Sequence, residues 1–127
     1  MEFIAKKEEL VRELALIQGI VERKNTIPIL ANVLIEAAGS TVELAATDLD
    51  VGLRCRLSGT VSQDGALTLS AKKLYEIVRS VSESEIRLQE LDNSWASVTS
   101  GRSYFKMVGL GKSEFPSLEK PPAEGFI

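Results

Sequence analysis

Apolar and polar positions follow one pattern that occurs twice along the chain. Each occurrence begins with a short stretch of strand periodicity, continues with an amphipathic helix and ends with three more stretches of strand periodicity. The first set of predicted elements is a strand over 2–5, a helix over 7–22 and strands over 32–37, 41–47 and 51–59. The second set is a strand over 66–70, a helix over 71–81 and strands over 85–91, 94–100 and 102–108. Together they predict an α+β domain of two similar halves, each with one helix packed on antiparallel strands.

Turn-forming and linker residues separate these elements. Clusters of Gly, Ser, Asp and Asn predict turns at 38–40, 48–50, 62–65, 92–93 and 100–101. After the last predicted strand, the proline-rich segment 115–122 has the composition of a linker.

Both predicted helices have an apolar stripe and an opposite face that is basic on average. The stripes are Leu10, Leu14, Ile17 and Val21 on the first helix, and Leu74, Ile77, Val78 and Val81 on the second. A helix advances about 100° per residue, so Arg12 and Arg23 fall roughly opposite the first stripe. Lys72 and Arg79, with Glu76 between them, fall roughly opposite the second. On pattern alone, these are either ordinary solvated faces or surfaces that meet an anion.

Composition narrows the possible functions. The 127 residues suit one domain, and the net charge of −3 leaves room for a local basic surface. The absence of histidine excludes His-based acid–base catalysis, Ser–His triads and His-ligated metals, and the single cysteine excludes a Cys-rich zinc site. No phosphate-cradling glycine loop occurs, and the adjacent Glu8 and Glu9 suit the first turn of a helix better than a catalytic pair. We therefore expect neither catalytic residues nor a cofactor.

The chain also lacks the features of a membrane or exported protein. No apolar run approaches the roughly 20 residues that a membrane-spanning helix needs. The first nine residues, MEFIAKKEE, lack the basic-then-apolar order of a signal peptide. The single Cys55 cannot form an internal disulfide, which fits a reducing compartment. We expect a cytoplasmic protein with no membrane partner.

Six short segments, in order, resemble the N-terminal domain of the bacterial DNA polymerase III beta subunit, the sliding clamp family. They are MEF at 1–3, TIPILAN at 26–32, ATDLD at 46–50, SAKKL at 70–74, SGRSYF at 100–105 and EFPSL at 114–118. Each is weak alone, but their order and spacing are specific. The resemblance implies a DNA clamp fold over residues 1–118, with 119–127 as a linker and the start of a second domain.

The resemblance also implies a function. Members of the family are head-to-tail dimers in which similar domains close a ring around double-stranded DNA and tether the replicative polymerase. The DNA polymerase III alpha subunit and the clamp loader bind later domains that lie beyond this chain. Such a protein is a processivity factor of replication and is not an enzyme.

The family pattern assigns two groups of residues. Lys24 and Arg23 match a basic position before the TIPI segment, Lys72 and Lys73 match the pair that opens the second helix, Arg79 matches a later basic position, and Arg12 is a further candidate. All would contact phosphates without reading sequence. The dimer interface would use Arg102, Tyr104, Phe105, Ile77 and Lys73. Tyr104 stands where some relatives carry a basic residue, and the alternative for Phe105 is a core aromatic.

Two functions of other classes stay open at this point. The first is a protein-interaction domain that does not touch DNA, which neutral helix faces would favour. The second is a small hydrolase that uses carboxylates alone, which would need a convergent acidic pair in a cleft.

Overall fold

A computed structural model describes residues 1–21, 32–47 and 52–111, with the side chains of residues 20, 21 and 47 excepted. The elements of the first half are β1 (Glu2–Lys6), α1 (Lys7–Val21), β2 (Asn32–Ala38), β3 (Thr41–Thr47) and β4 (Gly52–Gln63). Those of the second half are β5 (Gly65–Ser70), α2 (Ala71–Ser80), β6 (Glu85–Glu90), β7 (Trp95–Ser100) and β8 (Ser103–Val108), with a 3-10 turn over Asp92–Ser94. The predicted α+β fold and the repeated strand–helix–three-strand order are both confirmed.

All strand pairs are antiparallel and lie in the order β5-β2-β3-β4-β1-β6-β7-β8. Each strand of the group β5-β2-β3-β4 corresponds, in the same order, to a strand of the group β1-β6-β7-β8 in the other half of the repeat. The sheet therefore has the two-fold pseudosymmetry that the repeat predicts. The junction between β4 and β1 has a counterpart at the far end, where Thr68 of β5 and Leu110 exchange backbone hydrogen bonds of 2.9 and 3.0 Å. Glycine at 109 permits this approach, because a Cβ there would collide with the carbonyl oxygen of Thr68.

The strand β4 is longer than the predicted 51–59 because it pairs with two neighbours in succession. Residues 52–58 pair with β3, and residues 59–63 pair with β1. Gly59 stands where the pairing changes, and a Cβ there would lie 2.9 Å from the carbonyl oxygen of Ile4. The predicted turn over 62–65 is consequently reduced to Asp64 between β4 and β5.

The hydrophobic core lies between the two helices and the sheet. Leu10, Leu14 and Ile17 of α1 are buried, as are Leu74 and Val78 of α2. Val81, just after α2, is also buried, while Ile77 is half-buried, and the side chain of Val21 lies outside the described residues. On the strands, alternate residues such as Phe3 and Ala5 are buried, which is the period of two expected of a half-buried sheet. The described residues of the predicted apolar stripes therefore form the core or pack against it.

Two strand edges have no partner within the described part of the chain. One is the outer side of β8, which pairs only with β7, and the other is the outer side of residues 52–58 in β4, which pair only with β3. The two-fold pseudosymmetry of the sheet relates these two edges to each other. An unpaired edge is a template for another strand.

In the same described ranges, no helix is long and apolar enough to cross a membrane.

Candidate nucleic-acid interface

Helix α2 is anchored at its start and along its apolar side. The hydroxyl of Ser70 accepts a hydrogen bond of 3.3 Å from the backbone N–H of Lys73, a normal N-cap. Leu74 and Val78 then bury the inner side of the helix, which also packs against α1. The outer side of α2 is consequently held at a defined orientation.

The exposed face of α2 carries three positive charges and one negative charge. Lys72, Lys73, Glu76 and Arg79 are all exposed. Across the described residues, neither lysine nor Arg79 forms an ion pair with a carboxylate. Other arginines differ, because Arg54 and Arg56 both reach Glu43, and Arg87 pairs with Glu2. The basic face of α2, defined here as Lys72, Lys73 and Arg79, thus forms no ion pair within the described part of the chain and has a net positive charge even with Glu76 included.

The position of the two lysines opposes the preference of the helix itself. The first turn of a helix favours acidic residues, since the helix dipole places positive potential there, and a cation costs about 0.3–1 kcal/mol. Helix α1 follows this preference with Glu8 and Glu9, whereas α2 has Lys72 and Lys73 and no acidic residue in its first turn. The basic face of α2 is therefore not explained by the stability of the helix.

The described outer face of α1 is not basic, which corrects the expectation for that part of the helix. Its exposed residues are Glu8, Arg12, Ala15, Leu16 and Gly19. Arg12 is 69% exposed, and its Nε lies 3.5 Å from the Glu13 carboxylate. The remaining predicted cations of this region, Arg23 and Lys24, lie outside the described residues. Of the two helices, compared over their described residues, α2 is therefore the one with a basic outer face.

The predicted interface residues cluster at the β8 edge and on one flank of α2. Arg102 lies in the turn before β8, Tyr104 is 62% exposed, and Phe105 is half-buried against the core. Tyr104 and Phe105 point to opposite sides of the sheet, because successive strand residues alternate. Lys73 is exposed and Ile77 packs against the core. The assignment of these residues to an interface stays a prediction.

The face of the sheet away from the helices has an apolar group that the sequence analysis missed. Trp95 and Val108 lie directly opposite each other on β7 and β8, and both are exposed, as is Leu110. The ammonium of Lys106 lies 5.1 Å from the centroid of the Trp95 ring. Successive side chains of a strand point to opposite faces of the sheet, and Met107 is the buried residue of this part of β8. This alternation would have predicted that Val108 points outward.

The acidic side chains of the described residues were the basis of the catalytic alternative. No group of three or more acidic or cysteine side chains within them could hold a metal ion. A cleft of about 520 Å³ lies where β1 meets α1, but it is lined by mixed charges, Lys6, Lys7, Glu8, Glu83 and Glu85, together with two serines. This cleft is separate from the basic face of α2.

Comparison with known proteins supplies the family. The sequence profile described as "DNA polymerase III beta subunit, N-terminal domain" matches residues 1–119. The chain belongs to that family. The beta sliding clamp of Proteus mirabilis is 36% identical over 120 residues, which cover 94% of this chain and 33% of that protein. The beta sliding clamp of Chlamydia muridarum is 31% identical over 118 residues, covering 93% of this chain and 32% of that protein.

Solved structures give the same result for the fold. The crystal structure of the DNA polymerase sliding clamp from Caulobacter crescentus has a TM-score of 0.87 at 33% identity, covering 94% of this chain and 33% of that chain. The resemblance and the clamp fold predicted from the sequence are therefore confirmed. The chain spans about a third of the length of the curated relatives it matches.

Proposed function

We propose that this chain is the first domain of a ring-shaped processivity factor, a subunit that encircles duplex DNA and tethers the replicative polymerase. The observation that carries the proposal is the basic face of α2, which is exposed, has no carboxylate partner among the described residues and opposes the helix dipole. Such a face suits the phosphate backbone, which any sequence presents. Membership of the beta subunit family supports this assignment.

The contacts are proposed to be electrostatic and independent of sequence. Lys72, Lys73 and Arg79 provide them from α2, Arg12 from α1, and Arg23 and Lys24 from the segment after α1. Lysine and arginine meet phosphate oxygens without reading base edges, so the ring can slide along the duplex. The role needs no catalytic residue and no cofactor.

Ring closure is proposed to use the two equivalent free edges. A strand of the partner subunit adds to β8 beside Arg102, Tyr104 and Phe105, and Lys73 and Ile77 contribute from α2. Residues 52–58 of β4 meet the next domain of the same subunit, and residues 119–127 are the linker and the start of that domain. The result is a homodimeric, head-to-tail ring in the cytoplasm, and later domains bind the DNA polymerase III alpha subunit and the clamp loader.

The experiment that tests the function is retention on circular DNA. The full-length subunit, loaded on a nicked circle, should stay on the circle and leave when the circle is cut.

The isolated domain is expected to self-associate through the β8 edge. Phe105→Asp should weaken this association, because it places a charge beside the edge, and Tyr104→Asp should do the same from the other side of the sheet. Tyr104 is 62% exposed, so its substitution spares the core even where Phe105→Asp lowers stability. Sedimentation velocity over a concentration series measures the effect, with circular dichroism as the folding check.

The matched control is Leu16→Asp, which replaces an apolar side chain, 55% exposed, on α1 by the same charge. It should leave the association unchanged. A wild-type domain that stays monomeric at high concentration, or equal effects of Leu16→Asp and Tyr104→Asp, would contradict the interface assignment.

A further inference from the structure

Arg79 differs from other described arginines in what holds it. Its guanidinium carbon lies 4.9 Å from the centroid of the Tyr75 ring, within the range of a cation–π contact. Four arginines elsewhere are held by carboxylates, namely Arg12, Arg54, Arg56 and Arg87. Arg79 is thus oriented by an uncharged ring.

A guanidinium held by an aromatic ring can still bind an anion, whereas a guanidinium held by a carboxylate binds a further anion poorly. A carboxylate neutralises the guanidinium and occupies its N–H donors, usually two at once. A ring beneath the guanidinium plane keeps the positive charge and leaves the in-plane N–H groups free for a bidentate anion. The contact with Tyr75 therefore orders the long Arg79 side chain without reducing its attraction for a phosphate.

Tyr75 is itself fixed in place. It is half-buried and packs against the hydrophobic core. It precedes Arg79 by four residues, so the two side chains are neighbours on the surface of α2. By helical periodicity, it lies between the buried stripe of Leu74 and Val78 and the exposed line of Lys72 and Arg79. The Tyr75 ring therefore lies at the border of the core and the basic face.

We propose that Tyr75 is a positioning residue that holds the Arg79 guanidinium in place for a DNA phosphate. This inference rests on the proposed function, because it assumes that the basic face of α2 meets the duplex. Tyr75 itself contacts no DNA. Its ring lowers the entropy that Arg79 loses on binding, since a side chain already ordered by a contact has less freedom to give up.

The test uses the full-length ring and a short fluorescent duplex, with binding followed by anisotropy over a series of salt concentrations. Tyr75→Leu should weaken binding by about two- to ten-fold, the range that corresponds to the entropy lost when one long side chain is immobilised. Tyr75→Phe keeps the ring and should bind like the parent. Arg79→Gln should weaken binding and reduce the salt dependence, because each subunit then neutralises one phosphate fewer.

A double variant separates positioning from packing. In the Arg79→Gln background, Tyr75→Leu should have no further effect on duplex binding, since the group that it positions is absent. Thermal unfolding checks that each variant folds, and Tyr75→Met, with a flexible apolar side chain, replaces Tyr75→Leu if the latter does not.

The remaining outcomes all count against one of the two proposals. If Tyr75→Leu weakens binding equally with and without Arg79, Tyr75 acts through packing and the inference is wrong. The inference is also wrong if Tyr75→Phe weakens binding as Tyr75→Leu does, or if Arg79→Gln weakens binding while Tyr75→Leu does not. If Arg79→Gln changes neither affinity nor salt dependence, the assignment of Arg79 under the proposed function fails instead.

Discussion

A full-length ring that carries Lys72→Glu and Arg79→Glu is expected to bind a short duplex on the order of a hundredfold more weakly than the parent. Each substitution removes a cation that faces a phosphate and adds a repulsive charge, and each occurs in both subunits of the proposed ring. The slope of log affinity against log salt should fall by roughly 0.9 for every phosphate that the ring no longer neutralises. Fluorescence anisotropy at several salt concentrations measures both quantities. Adding Lys24→Glu, at another of the predicted DNA-binding residues, should weaken binding further.

A matched control separates local interactions from the effect of net charge. Lys6→Glu and Arg87→Glu make the same change in charge at two exposed strand residues, outside the basic face of α2 and outside the β8 edge. This variant should bind nearly as well as the parent, because exposed charges more than a Debye length of about 8 Å from the duplex are screened at physiological salt. Equal reductions in affinity for the two double variants would show that net charge, and not the basic face of α2, governs binding.

The thiol of Cys55 is expected to react about a hundredfold more slowly in the folded domain than in the unfolded chain. Cys55 is buried on β4, and burial raises its pKa from 9.0 to about 11, with a further contribution from the nearby Glu13 carboxylate. Since only the thiolate is nucleophilic, a pKa of about 11 in place of 9.0 removes about 99% of the reactive form at pH 8. Iodoacetamide labelling followed by mass spectrometry, with and without urea, measures the ratio.

A reference thiol controls for reagent and temperature. Ser62→Cys in a Cys55→Ala background places one cysteine at an exposed position of β4, and it should react at similar rates with and without urea. Comparable rates for Cys55 in the folded and unfolded states would contradict the buried position.

The same pKa shift predicts how stability depends on pH. The raised pKa means that the folded state favours the neutral thiol, so its contribution is complete below about pH 9 and is lost as the pH rises towards 11. Urea unfolding between pH 8 and pH 10.5 should show a decline for the parent that is smaller in Cys55→Ala.

The local structure was largely predictable because the signals are local. The strand β3 occurs over the predicted residues 41–47, and the helix α2 ends one residue earlier than predicted. The predicted turn at 92–93 forms with Asn93 at a φ of 59°, a conformation that asparagine tolerates. These features depend on a few neighbouring residues, which the sequence displays directly.

The order of the strands in the sheet and the contact partners of the site residues were not predictable in the same way. The pairing of β1 with both β4 and β6 joins residues far apart in the chain, and periodicity carries no information on partners. For the same reason, the pattern showed that Arg79 faces outward but not that the Tyr75 ring holds it. Arg12 also faces outward, but its guanidinium lies beside the Glu13 carboxylate. Helical angles show that a residue faces outward, and they do not show whether it has an ion-pair partner.

The proposed ring would hold DNA by enclosing it. The most direct measurement is the release of the full-length protein, loaded on nicked circular DNA by a clamp loader, at a salt concentration that abolishes binding to a short duplex. We predict that the protein stays on the intact circle at this salt and leaves after one restriction cut. Release from the intact circle at the same rate as from cut DNA would contradict enclosure and leave only surface binding.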